Sequence, residues 1–118
     1  MTEETKRELE QAGIRVDQLL ERFMGNEGLA ERFLKKFLND ANYGKLMESV
    51  QAGDPKGAFE AAHTLKGVAG NLSMQPLMEA VGQMTEDLRS DRWEEALSLM
   101  PKVTEAYEKM AAVLRAVF

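Results

Sequence analysis

Ala61-Ala62-His63-Thr64-Leu65-Lys66-Gly67-Val68-Ala69-Gly70-Asn71-Leu72 is the stretch that decides how the rest of the chain is read. Together with Ala58, its residues Ala61, Ala62, Leu65, Val68, Ala69 and Leu72 recur at i, i+3, i+4 and i+7, the spacing of one face of an α-helix. At about 100° per residue, His63 falls on the opposite, solvent side. Lys56, Phe59, Glu60, Gly67 and Gly70 share that side, and Lys66 and Asn71 flank it. The only histidine of the chain thus belongs to the wet surface of an amphipathic helix and not to its core face.

The glycines are out of place there. Each costs about 1 kcal/mol relative to alanine inside a helix, and two of them lie one and two turns beyond His63 on its own face. Helical side chains lean toward the N-terminus, so substituents at 67 and 70 would overhang the imidazole. Their absence opens space for a bulky partner. Lys66, three residues on, brings an ammonium group beside the ring. An open imidazole, a nearby cation and a bare flank suit an anion carried on a histidine nitrogen, most simply a phosphoryl group. Free imidazole has a pKa of about 6.5 and is mostly neutral, hence nucleophilic, at cytosolic pH. Two plainer accounts compete: a surface histidine without a role, and glycines that permit close helix packing. The second is disfavoured because both glycines lie off the predicted core face.

Ala62-His63-Thr64-Leu65-Lys66-Gly67, followed by Gly70-Asn71-Leu72, resembles the histidine-phosphotransfer (HPt) domain family. The family's hallmark is His-x-x-Lys-Gly on a helix of a bundle, and weaker similarity runs from about Leu19 to Leu114. The resemblance implies that His63 is phosphorylated, that Lys66 steadies the phosphoryl group and that Gly67 leaves room for the partner. It implies a response-regulator receiver domain or a histidine kinase as partner, the receiver supplying the aspartate, the acidic pocket and the divalent metal. It also implies a polar side chain from the next helix against the other imidazole nitrogen, for which Gln83, Thr85 and Glu86 are the candidates. Phe59, one turn before His63 and off the core face, is a candidate docking anchor, with Lys56 and Asn71 beside the same surface.

At 118 residues, with 44% hydrophobic and 30% charged side chains, the chain has the length of one domain with a modest core. We expect a single helical-bundle domain over 1–118, divided into an N-terminal helical cap at about 1–26 and a bundle at about 27–118. Few β-branched residues and much Leu, Ala, Glu, Lys and Met favour helix. The expected fold is all-α, an antiparallel up-down-up-down four-helix bundle with short additional N-terminal helices. The absence of cysteine rules out disulfides and thiolate chemistry. A net charge of -5 argues against nucleic acid as a partner. No apolar run approaches the roughly 20 residues of a membrane span, and the polar start is unlike a secretory signal. A cytoplasmic, monomeric protein is expected.

Along the chain, Thr2 to Gln11 forms a short helix stopped by Gly13, with Leu9, Ala12 and Ile14 able to tuck onto the bundle; a partly frayed cap is an equal alternative. Val16 to Met24 forms a second short helix. The next begins near Glu27 or Gly28 and carries Ala30, Phe33, Leu34, Phe37, Leu38 and Ala41 as a dense apolar face. Phe23, Phe33 and Phe37 read as core. The stripe Tyr43, Leu46, Met47, Val50 is out of phase with Phe33 and Phe37, so a break is expected near Asn39–Asn42, with Asp40 as N-cap. Gly53-Asp54-Pro55 is a helix stop, cap and start in one. Pro76 opens the following helix. From Trp93 to Val117 the apolar phase continues past Pro101, which predicts one kinked helix in preference to two. The eight methionines read as flexible core filler, with Met74, Met78 or Met84 the ones that could serve a docking surface instead.

The chain lacks a Gly-x-x-x-x-Gly-Lys-Ser/Thr phosphate loop and a glycine-rich turn after a strand. It is therefore expected to carry a phosphoryl group without making phosphohistidine from ATP, as a non-enzyme intermediate with no cofactor. Glu60-Ala61-Ala62-His63 matches Glu-x-x-His once, where a di-iron bundle needs it twice. One histidine and no cysteine also leave no zinc set of the usual type, so no metal is expected. The rival readings are a non-catalytic helical adaptor and the phosphoacceptor domain of a chemotaxis-type kinase.

Overall fold

The computed structural model describes all 118 residues as eight helices: α1 (Glu3–Ala12), α2 (Val16–Arg22), α3 (Glu27–Phe37), α4 (Asn42–Gln51), α5 (Pro55–Asn71), α6 (Gln75–Arg89), α7 (Trp93–Ser98) and α8 (Met100–Val117). There is no sheet. The four arms of an antiparallel bundle are the broken pair α3–α4, then α5, α6, and the broken pair α7–α8, with α1 laid on α8. No helix is long and apolar enough to cross a membrane.

Local chemistry sets the links. Gly13 takes a left-handed φ of 104°, and its N–H donates to the Glu10 carbonyl while Ile14 N–H donates to Leu9 O, closing a Schellman turn. The accompanying apolar contact residues, Leu9 and Ile14, are fully buried. Ile14 also forms an antiparallel bridge with Met74: Arg15 N–H donates to Ser73 O and Gln75 N–H to Gly13 O. These bonds pin the α1–α2 link to the α5–α6 link, so the N-terminal segment is docked and not frayed. On the other side of α1, the Met1 ammonium and Lys6 both reach Glu27. The hydrogen bond from that ammonium, before the charge of Lys6, holds the Glu27 carboxyl below the usual carboxylate range.

The break in the third arm falls where the phase of the apolar stripe changes. Leu38, Asn39 and Asp40 N–H groups each donate back three residues instead of four, which tightens and ends α3. Asp40 is not the assigned cap of α4. It makes an Asx turn instead, its carboxylate accepting from both Asn42 N–H and the Asn42 amide at 2.9 Å. The bend is braced by aromatics: Tyr43 stacks on Tyr107 with centroids 4.0 Å apart, Phe37 lies 5.6 Å from Tyr107, and the Tyr43 hydroxyl meets Thr104.

Two expectations need correcting. The last arm is two helices joined by the single αR residue Leu99 and not one kinked helix. Pro101 has no N–H to give to the Leu97 carbonyl, so the hydrogen-bond ladder lapses there although the apolar phase runs on. Of the three phenylalanines read as core, only Phe37 is there. Phe33 is 41% exposed and Phe23 half-buried; the two rings pack on each other with centroids 5.3 Å apart at the wall of a groove instead of inside the core. The methionines divide similarly: Met74, Met84 and Met110 are fully buried, whereas Met24, at a left-handed turn, is 93% exposed.

Asp54 starts α5. Its carboxylate accepts the Gly57 N–H at 3.0 Å and Pro55 follows at the first helical position. Asp54→Ala should lower stability by about 1 kcal/mol, the usual worth of such a cap, read as an earlier midpoint in urea denaturation. An unchanged midpoint would mean that packing alone holds the start of α5.

Candidate functional site

The core face of α5 is as its periodicity requires: Ala58, Ala61, Ala62, Leu65, Ala69 and Leu72 are buried, and Val68 is half-buried at the margin. His63 is exposed at the middle of the helix, with Lys56, Glu60, Gly67 and Asn71 also exposed around it. Helix α6 runs antiparallel along one side. The facing pairs Phe59–Arg89, Lys66–Gly82 and Gly70–Met78 fix the register, which sets Thr85 across from His63.

The two glycines of the motif differ. A β-carbon built at Gly67 would have nothing within 4 Å. No internal packing demands glycine there, yet the helix carries its propensity cost. A β-carbon at Gly70 would lie 3.4 Å from the Met78 sulfur. That is ordinary contact with a flexible side chain, so packing against α6 does not require glycine at 70 either, although Met78 lies beside it. A third glycine was not picked out from sequence. A β-carbon at Gly82 would lie 3.6 Å from Cε and 3.7 Å from Cδ of Lys66. The half-buried aliphatic stem of Lys66 therefore runs past Gly82 along the α5–α6 seam, at a distance that a β-carbon would also tolerate. The signal was available: an interior helix glycine with no turn to explain it.

The imidazole has one aromatic neighbour. The Phe59 ring lies 5.7 Å from it, centroid to centroid, with an interplanar angle of 14°. The Arg89 guanidinium sits 5.4 Å from the centre of that same phenyl ring and pairs with Glu86 at 3.0 Å. Phe59 is thus half-buried beneath an α6 side chain and not a free-standing anchor. None of the three candidates from α6 hydrogen-bonds His63. Thr85 is fully buried and its hydroxyl donates to the Val81 carbonyl at 2.7 Å. Glu86 is engaged by Arg89. The Gln83 amide points along its own helix, at 3.5 Å from Asp87.

On the other flank of α5 the bend between α3 and α4 opens a groove of about 590 Å³. Phe23, Phe33 and Phe37 line it from one side and Val68, Asn71 and Leu72 from α5, with Arg22 and Lys36 supplying positive charge. The Lys36 ammonium lies 5.3 Å from the centre of the Phe33 ring. The groove begins at Val68, five residues beyond His63, roughly 7.5 Å along the helix at 1.5 Å per residue. Sequence reasoning missed it, because apolar residues at helical spacing look the same whether a neighbour covers them or not.

Such a surface offers an accessible imidazole ring, a cation on a half-buried stem one turn away and an open flank at Gly67. Those are the requirements for taking up and releasing a phosphoryl group within a protein–protein contact. No curated protein and no solved structure matches the chain. The family model for the Hpt domain matches residues 32–116, most of the chain and the whole of α4 to α7 with nearly all of α8, and the chain belongs to that family of helical phosphotransfer domains of two-component signalling.

Proposed function

We propose that His63 is the phosphoryl carrier of a phosphorelay, exchanging the group with an aspartate of a response-regulator receiver domain. The observation that carries this reading is the exposed imidazole beside Gly67, where a β-carbon would meet open space. In the forward step the lone pair of Nε2, the nitrogen farther from the backbone, attacks phosphorus of the acyl phosphate. The N–P bond forms as the P–O bond to the aspartate breaks, and the carboxylate leaves with the electron pair. The ring, still protonated at Nδ1, becomes a phosphoryl-imidazolium. Lys66 offers its ammonium to the phosphoryl oxygens, its stem passing beside Gly82 of α6. Hpt domains are phosphotransfer intermediates, not kinases, so the group arrives from a receiver or a histidine kinase.

The docking surface in this reading is the α5 face from Lys56 to Asn71, with the neighbouring groove inside its reach. A stable interface covers about 800 Å² per partner, a disc roughly 16 Å in radius, which takes in the groove from a centre at His63. The chain acts as a monomer in the cytoplasm, alongside its receivers.

Incubation with a receiver domain charged by acetyl phosphate tests the assignment. The expected product gains the mass of one phosphoryl group, loses it in acid, keeps it in base and carries it on the peptide containing His63. A label on any other residue, or none from any receiver tried, would sink it. Lys66→Met keeps the stem over Gly82 and removes the charge. It should slow transfer roughly tenfold, near the 1.5 kcal/mol lower figure for a hydrogen bond to a charged group, with an unchanged unfolding midpoint. Rates equal to the parent's would remove Lys66 from the mechanism.

A further inference from the structure

We propose that Phe59 is the positioning residue that sets the plane of the His63 ring, in the absence of any hydrogen bond to the imidazole from α6. The inference rests on His63 being the phosphoryl carrier. An exposed imidazole rotates about two side-chain bonds. To attack phosphorus in line it must hold one orientation while a docked receiver presents its aspartyl phosphate. The residue across the helix pair, Thr85, is buried with its hydroxyl donated to Val81, and the flanking Glu86 is paired with Arg89. The aromatic ring beside it is Phe59, one turn earlier on the same helix, nearly parallel to it at 14° and 5.7 Å between centroids. Phe59 is itself fixed. It is half-buried, and Arg89 covers it from α6 at 5.4 Å while held by Glu86. The series Glu86–Arg89–Phe59–His63 therefore links α6 to the nucleophile through the phenyl ring.

The arrangement also suits the reaction. The imidazole is neutral before attack and cationic after the N–P bond forms, and an aromatic face attracts a cation close to it. The phenyl ring thus favours the product of the step as well as the orientation that precedes it.

Single-turnover transfer from a charged receiver to wild type, Phe59→Leu and Phe59→Tyr tests the proposal, the receiver being whichever transfers fastest to wild type. Leucine keeps apolar bulk without a ring face, and tyrosine restores the face. The maximal rate should fall about tenfold to a hundredfold in Phe59→Leu, the range in which a misplaced reacting group loses rate, and return to within about threefold of wild type in Phe59→Tyr. The receiver concentration at half-maximal rate should change much less than the maximal rate, by no more than about threefold, since Phe59 also lies within the docking face. In proton NMR the His63 ring signals should shift in Phe59→Leu as the ring current is lost. A maximal rate unchanged in Phe59→Leu would overturn the proposal and leave Phe59 a docking contact at most, as would a fall that tyrosine does not restore. Labelling by phosphoramidate, which needs no docking, separates the two levels. If it marks His63 in wild type and in Phe59→Leu, the carrier assignment stands whatever the receiver rates. If it leaves wild type unmarked at His63, the carrier assignment fails and the positioning role falls with it.

Discussion

His63→Gln should accept no phosphoryl group from any donor while unfolding at the same denaturant concentration as the parent. Glutamine matches imidazole roughly in reach and is a good helix former, but its amide nitrogen has no free lone pair to attack phosphorus. Stability should hold because the side chain is exposed and its one aromatic neighbour, Phe59, is half-buried by its own packing against the core edge. Surface substitutions away from caps, cores and networks usually stay within about 0.5 kcal/mol. The joint outcome is the informative one. Lost transfer with an unchanged urea midpoint and helical circular dichroism assigns the loss to chemistry. Acid-labile label persisting on the variant would move the carrier elsewhere in the chain. Transfer lost together with the fold would mean that the ring is more deeply engaged than its exposure implies.

Most of the scaffold was legible because its links are written in short-range chemistry. Gly53-Asp54-Pro55 has one good reading, and the structure follows it residue by residue. The phase slip between Phe37 and Tyr43 located the α3–α4 break, because a helix cannot change its buried face without interrupting its ladder. The solvent side of α5 was readable for the same reason. The failures concern contacts between elements. Periodicity marks the apolar side of a helix but not whether another helix reaches it, so Phe33 and Phe23 read as core although they line a groove. Pro101 left the apolar phase intact while breaking the hydrogen bonds, and the unbroken phase outweighed the missing donor in the reading of one kinked helix.

Within the site, the residues that α5 supplies were legible and their neighbours on α6 were not. His63, Lys66, Gly67 and Phe59 follow from position on one helix. Gly82 beneath Lys66 and Arg89 over Phe59 depend on the antiparallel register of α5 against α6, which no local pattern encodes. The search for a polar residue facing His63 shows the same limit. Gln83, Thr85 and Glu86 are equivalent as letters, but Thr85 is turned into the core and Glu86 is held by Arg89.

Gly67→Leu should make the protein more stable and nearly inactive in receiver-dependent transfer. A leucine at 67 would replace the poorest ordinary helix residue at an exposed position and contribute roughly 0.5–1 kcal/mol to stability, since a β-carbon there meets nothing within 4 Å. The same side chain would lean toward the N-terminus and lie over His63, in the space through which the aspartyl phosphate must approach. Holding the reacting atoms about 1 Å too far apart can lower a rate about a hundredfold, and a leucine adds more than that. The expected result is therefore a later urea midpoint with transfer at least about a hundredfold slower. Gly67→Ala should fall between, with most of the stability gain and a smaller loss of rate. Phosphoramidate should still label His63 in Gly67→Leu, because a small donor can pass the obstruction that a folded receiver cannot. The opposite signs of the two effects make the comparison decisive. A glycine kept for packing would lose stability when replaced, whereas one kept for access gains stability and loses function. Full receiver transfer in Gly67→Leu would show that the partner approaches from another side, and the open flank beside His63 would then need a different explanation.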